Sequence, residues 1–168
     1  PALVHDYQAE GLLVYMKDLI YDENQNPIIL TVVSKGYESG PENGPRYFHI
    51  AHWQGAGWKC RNIVETDHNY DSGSIWIDEE GVWNLLVPSS PGPQAYCTGG
   101  DVVLWQSQDQ GETWTAVREM TANSPRNHTY VRRVVNAHPD FQAFWADGDA
   151  LQPSPSRLYF CNRSGDRV

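Results

Sequence analysis

Apolar residues along this chain occur in short runs, and polar or turn-forming residues separate each run from the next. The first two runs, 12–16 and 27–33, flank a turn at 22–26 that contains only Asp, Glu, Asn and Gln. Runs rich in β-branched and aromatic residues between such turns are typical of strands paired in hairpins. No long stretch has the periodicity of a helix. The pattern therefore predicts an all-β fold.

The same succession of runs occurs three times along the chain. Each unit opens with a His-x-Tyr triplet, forms a hairpin, and passes through a long Pro/Gly-rich loop into a third strand. A tight turn and a fourth strand close the first two units, whereas the third unit stops where its fourth strand would begin. The triplets are His5-Asp6-Tyr7, His68-Asn69-Tyr70 and His128-Thr129-Tyr130. The units cover about 5–66, 67–122 and 123–168.

Four-stranded antiparallel units repeated in this way are typical of the blades of a β-propeller. We therefore predict a single partial β-propeller domain over residues 1–168. Closed propellers have about four to eight blades, so three are too few. We expect either a fragment of a larger propeller or a chain that completes its ring by self-association. The chain begins at Pro1 without a Met, which suggests a processed or excised N-terminus.

Charge, hydropathy and cysteine content narrow the function. The 21 acidic and 12 basic residues give a net charge of −9, whereas nucleic acid demands a basic face, so a nucleic-acid partner is not expected. No apolar run is long enough to span a membrane, and no membrane partner is expected. Cys60, Cys97 and Cys161 lack CxxC spacing, which argues against zinc. They are expected to be buried free thiols, or to include one disulfide if the protein is secreted.

Strand reversal within each unit assigns its connections to two opposite faces. The 1–2 and 3–4 turns share one face, and the 2–3 loops and the links between units share the other. The second face holds the triplets and the long loops, where a site is most readily built. Its candidate catalytic residues are His68, Tyr70, His128 and Tyr130. Its candidate substrate-binding residues are Arg46, Arg126 and Arg157, and Arg132, in the polar stretch around the third triplet, is a further candidate.

These residue types suit β-elimination at a uronic acid. An Arg binds the carboxylate in bidentate fashion and so acidifies C5–H, a His or Tyr removes that proton, and its partner protonates the departing glycosidic oxygen. No metal or nucleophile is required. Asp147-Gly148-Asp149 is a candidate for structural Ca²⁺, but two carboxylates fall short of the usual six to eight oxygen ligands.

Two alternatives stay open at this point. Hydrolysis needs two carboxylates that face each other across the glycosidic bond, and no spacing marks such a pair. The acidic residues available on the site face are Glu38, Glu42, Asp71 and Asp149. The repeated triplets are alternatively structural, with each His bonded to backbone and each Tyr filling a junction. The propeller would then be a non-catalytic module that binds a glycan or a protein.

One turn carries a recognisable motif. The segment 107–114 fits Ser-x-Asp-x-Gly-x-Thr-Trp, which is the Asp box of sialidase-type β-propellers. Asp109 is expected to accept backbone N–H bonds, Gly111 to adopt positive φ, and Trp114 to pack into the blade. Such boxes are structural and occur in unrelated activities, so the motif bears on fold more than on function.

The stretch from 68–74 through this motif to 124–130 and 136–141 resembles the BNR-repeat family of bacterial propellers. That family is related to uronate polysaccharide lyases of the ulvan-lyase type and to rhamnosidases. The resemblance implies a ring of usually seven blades. It also implies a protein that acts on acidic polysaccharide through His, Tyr and a carboxylate-neutralising Arg. Such a protein is expected to be secreted or periplasmic. It favours a polysaccharide lyase over a related glycoside hydrolase or a binding module.

Overall fold

The computed structural model describes residues 3–166, which form antiparallel β-sheet connected by turns and loops. One short 3-10 helix, Pro41–Asn43, lies in a loop, and no helix in the described range is long and apolar enough to cross a membrane. The strands are β1 (Leu13–Tyr21), β2 (Pro27–Ser34), β3 (Arg46–Trp53), β4 (Trp58–Thr66), β5 (Ser74–Ile77), β6 (Trp83–Pro91), β7 (Gly100–Ser107), β8 (Thr115–Glu119), β9 (Asn127–His138), β10 (Phe141–Gly148) and β11 (Leu158–Cys161).

Consecutive strands pair antiparallel in three meanders. Strands β1 to β4 form one sheet in chain order, and a second sheet contains the meanders β5–β8 and β9–β11. These two meanders are joined through one residue pair, Gly100 with His128. The predicted all-β architecture of antiparallel strands is confirmed. The described strands do not close into a ring.

The third meander differs in detail from the prediction. Strand β9 begins at Asn127, so the third His-x-Tyr triplet lies inside the strand and not ahead of it. A β-bulge in β9 places two residues, Tyr130 and Val131, opposite one residue of β10. Tyr130 has a φ of 57°, and Val131 is fully buried. Bulges of this kind redirect side chains, and this one turns Tyr130 towards solvent.

Side-chain alternation on the strands builds two hydrophobic cores, one on each face of the middle meander. In the first core Ile28 and Phe48 of the first meander pack with Leu85 of β6. In the second core Leu86, the next residue of β6, packs with Trp145 of β10. All five side chains are at most 1% exposed. The three meanders therefore stack face to face, with the β5–β8 meander in the middle.

The two outer faces of this stack have exposed apolar side chains. On β1, Val14 and Met16 lie opposite Val33 and Thr31, the side of β2 that faces away from the core, and Met16 is 69% exposed. At the other end of the stack Leu158 is 70% exposed. Strand β11 pairs only with β10 within the described range. Within the described range, both outer faces thus leave apolar side chains uncovered.

The 107–114 turn is closed by its own side chains. Asp109 accepts a bond from the backbone N–H of Thr113 at 2.8 Å and another from the Thr113 hydroxyl at 2.6 Å. These bonds, with one from Ser107, lower the pKa of Asp109 to about 2. Gly111 has a φ of 82°, and the Trp114 indole N–H donates to its carbonyl at 3.2 Å. The turn is therefore held locally in the way the motif predicts.

Gly111 and Gly81 provide a matched pair for testing how this turn contributes to folding. Both have φ near +81°, but a Cβ at Gly111 would lie 2.9 Å from the Trp83 ring, whereas one at Gly81 would meet nothing within 4 Å. Gly81→Ala should cost about 1 kcal/mol for positive φ. Gly111→Ala should cost about 1–3 kcal/mol more because it overpacks the core. Urea denaturation measures both losses, and equal values would contradict the close packing at Gly111.

Candidate functional site

A cavity of about 510 Å³ opens where the three meanders meet, and we call it the Lys17 cavity. The first meander contributes β1 residues, the middle one the link before β5 and part of the loop before β7, and the third its strand β9 and the loop after β10. The lining residues are Met16, Lys17, Tyr70, Ser72, Thr98, Asn127, Thr129, Tyr130, Arg132, Gly148, Asp149 and Ala150. Packing of the sheets thus assembles one site from distant parts of the chain.

Two exposed tyrosines line the Lys17 cavity, and both belong to the predicted His-x-Tyr triplets. Tyr70 is 61% exposed and Tyr130 is 65% exposed. Tyr70 lies on the link that leads to β5, and Tyr130 lies on the bulge of β9. Positive φ is rare for a residue as bulky as Tyr. The backbone of β9 therefore holds Tyr130 in an uncommon conformation that presents its phenol at the cavity.

Lys17 lines this cavity and is absent from the sequence prediction. Its ammonium group donates to the Asn69 carbonyl at 2.7 Å and lies 5.8 Å and 5.9 Å from the ring centres of Tyr15 and Tyr70. Burial lowers the pKa of Lys17 to about 8, with Asp71 opposing and Arg132 adding to the shift. A single Lys within the otherwise largely apolar run LVYMKDLIY was the signal in the sequence.

Arg132 is the one predicted substrate-binding arginine that lines the Lys17 cavity. It is half-buried, and its guanidinium donates to the Val131 carbonyl at 3.1 Å and lies 3.5 Å from that of Gly73. Lys17 and Arg132 therefore place two cations at one cavity of a protein with a net charge of −9. A guanidinium presents paired donors suited to a carboxylate, so this cavity suits an anionic group.

The other predicted arginines have different surroundings. Arg46 is 2% exposed and donates to the carbonyls of Glu38 and Gly40 at 2.7 Å and 2.9 Å, so it anchors the loop before β3. Arg126 donates to the Pro155 carbonyl. Arg157 is exposed. These three residues do not line the Lys17 cavity.

His68 lies behind Tyr70, with their ring centres 5.6 Å apart. Its Nδ1 accepts the backbone N–H of Tyr70 at 3.2 Å and lies 3.0 Å from the Thr98 hydroxyl, which places its proton on Nε2. Burial lowers the pKa of His68, and the charges of Arg46 and Lys17 add to that shift. His68 thus supports the cavity wall as a neutral imidazole and is not itself a lining residue.

The other two triplet histidines have unrelated contacts. His128 is 5% exposed, lies 3.1 Å from the Ser124 hydroxyl, and packs its ring against Tyr159. His5 contacts Glu10 at 2.7 Å, and its triplet partner Tyr7 hydrogen-bonds His49 at 3.1 Å on strand β3. The triplets therefore repeat in sequence but not in their contacts.

Carboxylates are sparse at the Lys17 cavity. Among the four acidic residues considered for hydrolysis, only Asp149 lines it. The Asp149 oxygens accept bonds from Leu151 and Gln152. Asp147 is 5% exposed and bonded to Arg157 and Tyr159. Residues 3–166 bring together no group of three or more His, Cys, Asp or Glu that could hold a metal ion, and Cys60, Cys97 and Cys161 are all free thiols.

Asp71 is a fully buried carboxyl group behind the cavity wall. It accepts bonds of 2.5 Å from the Thr66 hydroxyl and from the Gly99 backbone N–H. Burial raises the pKa of Asp71 to about 7, although these two bonds act against that shift. Because Gly99 follows the lining residue Thr98, Asp71 positions this part of the cavity wall.

No protein-family model and no curated protein matches the chain significantly. Among solved structures, an ulvan lyase of a new polysaccharide lyase family, PL25, matches with a TM-score of 0.69 and 17% identity over 90% of this chain and 33% of its own. The same values hold for the form bound to -[GlcA(1-4)Rha3S]-. A protein of unknown function from Dyadobacter fermentans matches with a TM-score of 0.53 and 15% identity over 88% of this chain and 37% of its own.

These structures are similar to this chain in fold. The chain spans only about a third of the length of the lyase and slightly more of the second protein. At 15–17% identity the likeness concerns the backbone arrangement and assigns no residue a role.

The buried carboxyl group of Asp71 predicts a specific pH dependence of stability. The folded protein keeps this proton up to about pH 7, whereas the unfolded chain loses it near the ordinary Asp pKa of 3.8. The stability that Asp71 contributes is therefore lost as pH rises through that interval. Asp71→Asn mimics the protonated form and does not titrate. The difference in free energy of unfolding between this variant and wild type should therefore shift in favour of the variant by about 2 kcal/mol as the pH is raised from about 5 to about 8.

Asp147→Asn is the matched control for this comparison. Burial alone would raise the pKa of Asp147, but bonds from Arg157 and Tyr159 and the charge of Arg126 lower it overall. Asp147 is thus ionised in the folded protein throughout this pH range, and its variant should show a constant loss. Urea denaturation at both pH values measures the two differences. A constant difference for Asp71→Asn would contradict the predicted titration.

Proposed function

We propose that the three meanders are blades of a β-propeller, with boundaries near 5–66, 67–122 and 123–168. The regular antiparallel meanders, the face-to-face packing and the apolar outer faces support this arrangement. The similar lyase structure is about three times as long, which fits a ring with further blades. Those blades would come from a longer chain or, failing that, from a second copy of this one.

We propose that the protein acts in a polysaccharide lyase that cleaves uronic-acid-containing glycans. The observation that carries this proposal is the convergence of two cations and two exposed phenols, Lys17, Arg132, Tyr70 and Tyr130, around one cavity. The similarity to an ulvan lyase solved with a GlcA-containing oligosaccharide supports the same substrate class. Secretion to the periplasm or beyond, which a polysaccharide substrate would require, stays a prediction.

The proposed reaction is a β-elimination. Arg132 and Lys17 bind the uronate carboxylate and acidify the proton on C5. One tyrosine, Tyr70 or Tyr130, accepts that proton on a deprotonated phenolate oxygen, and the C5–H electron pair forms the C4=C5 double bond. The C4–O4 bond breaks, and the other phenol donates its proton to O4 of the leaving sugar. His68 fixes Tyr70 through the bond to its backbone N–H.

A non-catalytic glycan-binding module is the second candidate function. His128 is buried, and His68 accepts a bond from backbone, as expected for structural histidines. Direct proton transfer by His68 or His128 therefore stays a prediction. Hydrolysis has less support because Asp149 is the only carboxylate among the residues that line the Lys17 cavity.

Absorbance near 235 nm tests the proposal during incubation with uronate polysaccharides, including ulvan and other rhamnose–glucuronate polymers. Elimination creates a double bond conjugated to the carboxylate, so the absorbance should rise. Tyr70→Phe and Tyr130→Phe should each reduce the rate by about 100-fold or more because each removes a proton-transfer group. Tyr37→Phe is the matched control, since Tyr37 is exposed but does not line the cavity.

Other outcomes separate the alternatives. New reducing ends without absorbance would indicate hydrolysis. Binding of the polymer by calorimetry, weakened in Arg132→Met but without cleavage, would establish the binding module. Equal rates in the two cavity variants and the Tyr37→Phe control would contradict the roles assigned to the phenols.

A further inference from the structure

A second cavity of about 660 Å³, which we call the Tyr96 groove, lies between the first and middle meanders. Segments 41–46 and 65–67 come from the first meander and the link after it, and segments 88–91 and 95–96 from the middle one. Four of its lining residues are prolines, whose fixed φ keeps such walls preformed. Its volume lies within the usual range of small-molecule sites. The groove is thus large and rigid enough to hold a ligand.

Tyr96 forms the aromatic side of this groove. It has a φ of 58°, and its backbone N–H donates to the Asp67 carboxylate at 2.7 Å. The side chain remains 41% exposed. Tyr96 and Tyr130 are the only aromatic residues at positive φ in the described range, and each lines a cavity. The fold therefore holds Tyr96 in an uncommon backbone conformation that leaves its ring accessible.

The polar groups of the Tyr96 groove suit hydroxyls and disfavour anions. Glu65 is exposed and Asp67 half-buried, so two carboxylates line the groove. Ser89 and Ser90 add hydroxyl groups. Arg46 is the only Lys or Arg among the lining residues, but it is 2% exposed and bonded to Glu38, Gly40 and Asn69. Burial raises the pKa of Asp67, while the bond from the Tyr96 N–H and the charge of Arg46 act against that shift.

We propose that the Tyr96 groove binds an uncharged sugar unit, which stacks on the Tyr96 ring and donates hydroxyl bonds to Asp67 and Glu65. A sugar ring presents an apolar C–H face for an aromatic ring and hydroxyls for acceptors. A uronate would instead bring a third carboxylate to two others, which like-charge repulsion opposes. The Tyr96 groove therefore favours an uncharged sugar, whereas the Lys17 cavity favours a uronate.

The link 66–72 separates the two cavities. Thr66 and Asp67 line the Tyr96 groove, whereas Tyr70 and Ser72 line the Lys17 cavity. A polysaccharide with both charged and uncharged units would cross this link with a uronate on one side and a neutral sugar on the other. This connection into one polymer rests on the proposed function, whereas sugar binding in the groove does not.

Amide chemical shifts in ¹H–¹⁵N NMR spectra of the ¹⁵N-labelled protein test the two cavities separately. The uncharged probes are oligosaccharides of glucose, mannose, xylose, galactose or rhamnose, and the charged probe is tetragalacturonate. At least one uncharged probe should shift the amides of 65–67 and 95–97. Tetragalacturonate should instead shift those around Lys17, Tyr70 and Tyr130. Failure of tetragalacturonate alone counts against the proposed function and leaves the groove proposal intact.

Three variants assign the groove binding to the aromatic ring. Tyr96→Asn removes the ring with a residue that tolerates positive φ, and it should weaken binding of the uncharged probe at least tenfold. Tyr96→Phe keeps the ring and should bind within about threefold of wild type. Tyr37→Asn removes an exposed tyrosine that does not line the groove and should bind as wild type. The spectra themselves report whether each variant is folded.

Either of two results would overturn this inference. One is that no uncharged probe shifts the groove amides. The other is that Tyr96→Asn, shown to be folded, binds the uncharged probe as tightly as wild type.

Discussion

The burial of both faces of the middle meander is the constraint on which the rest of this structure depends. In β6, Leu85 faces the first meander and Leu86 faces the third, and both are at most 1% exposed. Burying side chains of this size stabilises a fold by about 1.5–3 kcal/mol each. The meanders bury both of these faces by stacking in chain order. That stacking brings the links and long loops to a common side, where both cavities form.

The Lys17 cavity is lined by two positively charged side chains, although the whole molecule has a negative net charge. The chain has a net charge of −9, yet Lys17 and Arg132 come together beside Tyr70. Removing the Lys17 ammonium group from water disfavours its charged form, and this burial lowers its pKa to about 8. A half-buried cation of this kind is commonly functional, because packing alone would favour an apolar residue.

The two cavities share the link 66–72 as a wall but are lined by different charged residues. Asp67 faces the Tyr96 groove and accepts the Tyr96 N–H, while Asp71, four residues later, is buried behind the Lys17 cavity and accepts the Gly99 N–H. The short link between the first two meanders thus fixes loops on both sides through its carboxylates. Its conformation therefore contributes to the shape of both cavities.

The sequence by itself determined the strands, their antiparallel pairing and the 107–114 turn. These features depend on near neighbours, as when Asp109 bonds Thr113 and Gly111 adopts positive φ. It also indicated Tyr70, Tyr130 and Arg132 as candidates, because the His-x-Tyr triplets and the polar residues around them are visible in the sequence. It did not distinguish Arg132 from Arg46, because only the packed structure shows that the Arg46 guanidinium donates to the carbonyls of Glu38 and Gly40 in the loop before β3. Nor did it reveal Lys17 or the unlike surroundings of the three triplets, because those contacts join residues far apart in the chain and arise only when the sheets stack.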